Sequence, residues 1–179
     1  MAVKTAPEII LKNENETRII NFDWSESNDL ASGETLSSVT GTPVAAPVTS
    51  PTLAVTSPSV SGTIGQVTLG AGKAEQSFTG AAATSLLTKT SHGLSDGFTV
   101  RVAKDGLEDL PTGIDEATLY YVVTSLANTF QLALTTGGTP ITLTDDGQGT
   151  VYIEYRVSFR TTTSLSQVLD AEGICGVRT

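Results

Sequence analysis

Leu119-Tyr120-Tyr121-Val122-Val123, Thr129-Phe130-Gln131-Leu132-Ala133-Leu134 and Asp146-Gly147-Gln148-Gly149-Thr150, preceded by Ser91-His92-Gly93-Leu94-Ser95-Asp96-Gly97, make residues 75–153 read as a small β domain set inside another. The first two are apolar runs of strand length, and Ser125 to Thr129 between them is a hairpin-length loop. Phe98-Thr99-Val100-Arg101-Val102 adds an alternating strand, with Phe98, Val100 and Val102 inward. Lys104-Asp105-Gly106, Leu110-Pro111-Thr112-Gly113, Thr136-Gly137-Gly138-Thr139-Pro140 and Asp145-Asp146-Gly147 supply turn chemistry. The unit is expected to be a compact antiparallel barrel or sandwich.

Outward from this stretch the flanks look continuous. Gln66-Val67-Thr68-Leu69 leads through Gly70-Ala71-Gly72 toward Tyr155-Arg156-Val157-Ser158-Phe159-Arg160, two alternating runs that would pair as a hairpin across a Gly-rich turn. Thr17 to Trp24 reads as the first strand, with Ile20, Phe22 and Trp24 on one face; Leu36 to Thr40 resumes after Gly33, and Val168 to Val177 closes the frame. Between Gly41 and Ser61, Pro43, Pro47, Pro51 and Pro58 are spaced like the ends of short edge strands, where proline is tolerated. Residues 1–16 read as an arm able to add to a sheet edge or to dock on a neighbour. The expected organisation is an N-terminal arm over 1–16, a discontinuous β-sandwich over 17–74 plus 154–179, and an inserted small β domain over 75–153. About 100 residues remain outside the insert, the size of an immunoglobulin-like sandwich.

Composition agrees with an all-β chain. Hydrophobic residues are 39% and charged residues 16%, a balance that excludes the low-hydrophobicity, high-charge signature of disorder. Thr and Val fit the pleated surface of strands. A net charge of −9 repels phosphate backbones, so no direct nucleic-acid partner is expected. One cysteine allows no intrachain disulfide, and no apolar run is long enough to span a membrane. The first residues lack the charged start and apolar run of a signal peptide, so synthesis in a cytoplasm is expected.

Residues that could carry chemistry each have a plainer role. His92 is the only histidine, sits in a turn, and has no nucleophile elbow to serve. Cys175 reads as a small buried hydrophobe on a terminal strand, and Trp24 as a core anchor. Asp145-Asp146-Gly147 and Asp23-Glu26-Asp29 could offer oxygens to calcium, but neither has EF-hand spacing. Glu108, Asp109, Asp115 and Glu116 read as a solvated acidic loop rather than as paired catalytic carboxylates. Gly70-Ala71-Gly72-Lys73 lacks the upstream glycine and the following Ser or Thr of a phosphate loop. Asn15-Glu16-Thr17 matches the glycosylation pattern, without a secretory signal to give it meaning. No catalytic, cofactor or metal site is expected, and no enzyme.

Two runs carry a resemblance. Ile20-Asn21-Phe22-Asp23-Trp24-Ser25 with Leu30-Ala31-Ser32-Gly33-Glu34-Thr35-Leu36, and Tyr155 to Thr163 with Val168-Leu169-Asp170-Ala171-Glu172-Gly173, resemble the opening and closing of tailed-bacteriophage fiber–tail adaptor proteins. Residues 86–153, marked by His92-Gly93-Leu94, Tyr120-Tyr121-Val122-Val123 and Thr129-Phe130-Gln131-Leu132-Ala133, are similar to a module scattered through phage structural proteins. The resemblance implies an Ig-like frame and a non-catalytic virion protein. Its partners would be tail, neck, fiber or capsid proteins, met as a homo-oligomer, ring or lattice. Capsid decoration is the alternative within that class. A carbohydrate-binding adhesin module is the rival from another class, and a polysaccharide depolymerase the third reading.

Overall fold

The computed structural model describes residues 4–25, 29–43 and 53–178. The chain is all-β, with no helix among the described residues. Among the described residues twelve strands follow in order: β1 (Lys4–Asn13), β2 (Arg18–Asp23), β3 (Leu36–Pro43), β4 (Val55–Ser61), β5 (Ile64–Leu69), β6 (Gln76–Ala81), β7 (Leu86–Thr88), β8 (Thr99–Ala103), β9 (Tyr120–Val123), β10 (Thr129–Ala133), β11 (Gly147–Thr163) and β12 (Val168–Arg178). They form two compact units. The first comprises Met1–Lys73 and Tyr155–Val177; the second comprises Ala74–Glu154 with Arg178.

In the first unit one sheet runs β1-β12-β11, with β3 on the other side of β11; the second sheet is β2-β5-β4. Their inner faces meet, and the Phe22 and Phe159 ring centroids lie 4.0 Å apart. Gly41 makes the close approach possible, since a Cβ there would lie 2.6 Å from Val55 Cγ1 and 3.2 Å from Val67 Cγ1. Alternation along β11 is clear: Tyr155, Val157 and Phe159 are buried while Arg160 is exposed and pairs with Asp170 at 2.9 Å. Residues 4–13, read as an arm, form a strand beside β12. Strand β4 carries Pro58 on the edge of its sheet and a register shift between Thr56 and Ser59, devices that blunt an edge. Pro43 ends β3, whereas Pro47 and Pro51 lie outside the described residues.

The expected hairpin between the flanks does not form. Strand β5 pairs with β2 and β4, while the second half of β11 pairs with β3 and β12 in the other sheet. Alternation predicted the strands but holds no information about which sheet each joins. Here Gly70-Ala71-Gly72-Lys73 acts as a crossing between layers. Its Lys73 N–H donates to the Tyr155 hydroxyl at 2.9 Å, and Gly72 sits where a Cβ would lie 2.8 Å from Val177 Cγ2.

The second unit is a closed six-stranded antiparallel barrel. Strand β11 pairs with β6 and β8, β8 with β9, β9 with β10, β10 with β7, and β7 with β6. Closure leaves no unpaired edge. Phe78, Leu87, Phe98, Val100, Val102, Tyr120, Val122, Phe130, Leu132, Val151 and Ile153 are buried in it. The antiparallel order places the loops over 82–85, 104–119 and 134–146 at one end. The loops over 89–98 and 124–128, with both chain crossings, lie at the other.

Asp146-Gly147 is not a hairpin turn. Gly147 opens β11, and its side of the barrel lies beneath the Asp109–Pro111 segment, whose Asp109 carbonyl accepts the Gln148 N–H at 3.1 Å. A Cβ on Gly147 would lie 2.6 Å from the Pro111 nitrogen, and one on Gly149 would lie 2.7 Å from the Ala103 carbonyl oxygen and press on Leu110. Backbone cannot give way as a flexible side chain can, so Gly149→Val is expected to cost about 3 kcal/mol, the upper range for overpacking. Urea denaturation followed by tyrosine circular dichroism measures this, and a loss under about 1 kcal/mol would show that the loop yields.

Candidate functional site

The loop end of the barrel gathers charge. Loops 104–119 and 134–146 carry seven carboxylates (Asp105, Glu108, Asp109, Asp115, Glu116, Asp145, Asp146) against one lysine, Lys104. The other charged residues of the unit balance three against three: Glu75, Asp96 and Glu154 against Lys89, Arg101 and Arg178. An open cleft of about 480 Å³ lies among Lys104, Asp109, Thr112, Asp115, Glu116 and Asp145. Buried Pro111 and Ile114 anchor the long loop beneath it.

The carboxylates in the cleft are occupied with holding the loops. Asp145 accepts the Thr112 N–H and, at 2.6 Å, the Thr112 hydroxyl, joining the two loops. Asp115 accepts the Ala117 and Thr118 N–H groups at 2.8 and 2.9 Å and the Thr118 hydroxyl at 2.9 Å. Lys104 bonds Asp109 at 2.6 Å, and its N–H donates to Glu116 at 3.0 Å. The hydroxyl of Thr118 first, then its N–H and that of Ala117, hold Asp115 below the usual aspartate value of 3.8. The hydroxyl and N–H of Thr112 do the same for Asp145.

Groups with depressed folded values contribute stability that is present above 3.8 and is lost as pH falls through the folded values. A nuclear magnetic resonance pH titration should therefore show the Thr112 and Thr118 amides leaving their native positions only below pH 3.8. Midpoints at or above that value contradict the arrangement.

His92 is buried and its ring is fully employed. Nδ1 accepts the Leu94 N–H at 3.0 Å, and Nε2 lies 3.2 Å from the Thr129 carbonyl, so Nε2 carries the proton. The ring packs on Phe130, with centroids 5.0 Å apart, and fastens the turn after β7 to β10. Burial pushes the Cys175 thiol up to about 11, which leaves it protonated and inert at neutral pH. Trp24 is buried in the first unit's core. Asp23 accepts the Ser25 N–H at 2.8 Å and the Thr63 hydroxyl at 3.2 Å; Glu26 lies outside the described residues. Among the described residues no group of three or more His, Cys, Asp or Glu could hold a metal ion. In the Gly-rich crossing, the Gly70 N–H donates to the Ala54 carbonyl and the Lys73 N–H to the Tyr155 hydroxyl. Asn15-Glu16-Thr17 is the turn between β1 and β2, where the Glu16 carboxylate accepts the Asn13 N–H at 3.1 Å.

Among the described residues, Lys12, Glu34 and Glu154 are buried charges that composition and motifs do not mark. Lys12 donates to the Asn13 carbonyl at 2.7 Å. Glu34 accepts the Ala31 N–H at 2.8 Å, and the Thr163 hydroxyl, with that N–H, holds its carboxyl below the usual range. Glu154 pairs with Arg101 in the barrel wall. The only available signal was for Glu154, a lone charge inside the apolar run from Val151 to Tyr155.

A sugar site would need exposed aromatic faces. Of the barrel aromatics, Phe78, Phe98, Tyr120, Phe130 and Tyr152 are buried, and Tyr121 alone is half-buried. Compared with known protein families, curated proteins and solved structures, the chain matches none.

Proposed function

We propose that this chain is a non-catalytic virion structural protein of a tailed bacteriophage, an adaptor at the tail or neck. The observation that carries the reading is the division into two all-β units whose conspicuous polar residues are consumed by structure, taken with the resemblance of residues 18–74 and 155–177 to fiber–tail adaptors. The first unit, with its two facing sheets, is the Ig-like frame in this reading and docks on the particle. The barrel is the inserted domain. Its loops over 82–85, 104–119 and 134–146 are farthest from its chain crossings, and they would contact a fiber, a neighbouring subunit or the host surface. Symmetric repetition of such contacts would hold the assembly by avidity.

Mass spectrometry of purified particles tests this first: the polypeptide should be present in a fixed ratio to tail proteins, and its absence rejects the reading. An electron-microscopy map with the chain placed at the tail or neck supports the adaptor role, whereas placement on the capsid shell favours decoration. Binding to a glycan array by the purified chain would favour the adhesin reading, against which the buried aromatics already weigh.

A further inference from the structure

The chain has three Asp-Gly steps, Asp96-Gly97, Asp105-Gly106 and Asp146-Gly147. Such steps can rearrange without an enzyme. The glycine backbone nitrogen loses its proton and bonds to the aspartate Cγ, and a carboxyl oxygen departs as water to leave a succinimide. Water then adds at the aspartate main-chain carbonyl and breaks its bond to that nitrogen. The backbone now runs through Cγ, the α-carboxyl is set free, and mass and redox state are unchanged. The reaction needs a carboxyl able to turn toward the nitrogen, a nitrogen not engaged as a donor, and room for the ring.

Two of the three steps are locked. The Asp96 carboxylate accepts the Ser125 N–H at 2.8 Å, and the Gly97 N–H donates to the Val122 carbonyl at 2.8 Å. The Asp146 carboxylate accepts the Ala82 N–H at 2.8 Å, while Gly147 lies in the ladder opposite Gly80, under the Pro111 backbone. Asp105-Gly106 has neither restraint. It forms an exposed turn in which the Asp105 carbonyl accepts the Glu108 N–H at 3.3 Å. Among the described residues, no hydrogen-bond partner holds the Asp105 carboxylate or the Gly106 N–H. Gly106 has a φ of +66° with nothing within 4 Å of a Cβ built on it, and Leu107 beside it is fully exposed.

We propose that Asp105-Gly106 is a spontaneous isoaspartate site of the folded protein, and that the fold protects the other two Asp-Gly steps. The full chain would be aged at neutral pH and physiological temperature, and isoaspartate located by electron-transfer fragmentation of its peptides. Conversion at Asp105 should exceed that at Asp96 or Asp146 by about tenfold, a barrier difference of about 1.4 kcal/mol. In urea the three steps should converge to within about twofold, since protection is then lost. Asp105→Glu should remove most of the isoaspartate formed by the folded chain. Equal conversion at the three steps of the folded chain, faster conversion at Asp96 or Asp146, or persistence of the same ranking in urea would overturn the proposal.

Discussion

Replacing Arg101 by methionine should destabilise the barrel by about 3–5 kcal/mol, as when one partner of a buried ion pair is removed. Glu154 is 1% exposed, and its side chain pairs with the Arg101 guanidinium, which also donates to the Ala117 carbonyl at 2.6 Å. Methionine covers much of the arginine stem but leaves the carboxylate desolvated and the Ala117 carbonyl without its donor. Replacing both members, Arg101→Met with Glu154→Leu, should recover most of the loss, because it removes the uncompensated charge along with the pair. Urea denaturation of the single and double variants measures the difference. A single variant within about 1 kcal/mol of the parent would mean that water reaches Glu154.

Phe159→Ala should cost about 3–5 kcal/mol in the first unit, the usual range for emptying an aromatic site in a packed core. The ring is 1% exposed, touches Phe22, and lies 3.3 Å from the position a Cβ would take on Gly173. Gly41 and Gly173 bring backbone close to the ring, and backbone cannot relax into the cavity as a side chain can. Trp24, the single tryptophan, is buried in the same unit, and its fluorescence reports the unfolding directly. A loss below about 1.5 kcal/mol would show that the two sheets close over the gap.

What could be read from the sequence was local. Tyr155, Val157 and Phe159 against Arg156, Ser158 and Arg160 announced a half-buried strand because side-chain direction alternates with each residue, whatever the partner strand. Phe98, Val100 and Val102 are buried as their spacing required. The β9–β10 hairpin was legible from its short loop, but which strands pair over longer separations was not. The flanks of the second unit looked like a hairpin because both alternate, yet they belong to opposite sheets of the first unit. Gly147 and Gly149 show the same limit at one residue's scale. Asp-Gly is a turn signal on its own, but here glycine is required by a loop folded over the strand from about 40 positions away. The acidic loop was visible as charge; that Thr112 and Thr118 would occupy Asp145 and Asp115 depended on loop closure.

The pairing of β6 with β11, which sets Gln76 opposite Val151, has a consequence for how the chain folds. A flexible segment of about 80 residues would add about 2–3 kcal/mol of closure entropy to the first unit, compared with a connection of a few residues. Once the barrel forms, its two ends are hydrogen-bonded neighbours, and the outer chain meets a short tether instead. Barrel formation first is therefore the cheaper order of events, and a different module with equally close termini could stand in its place without slowing the assembly of the frame.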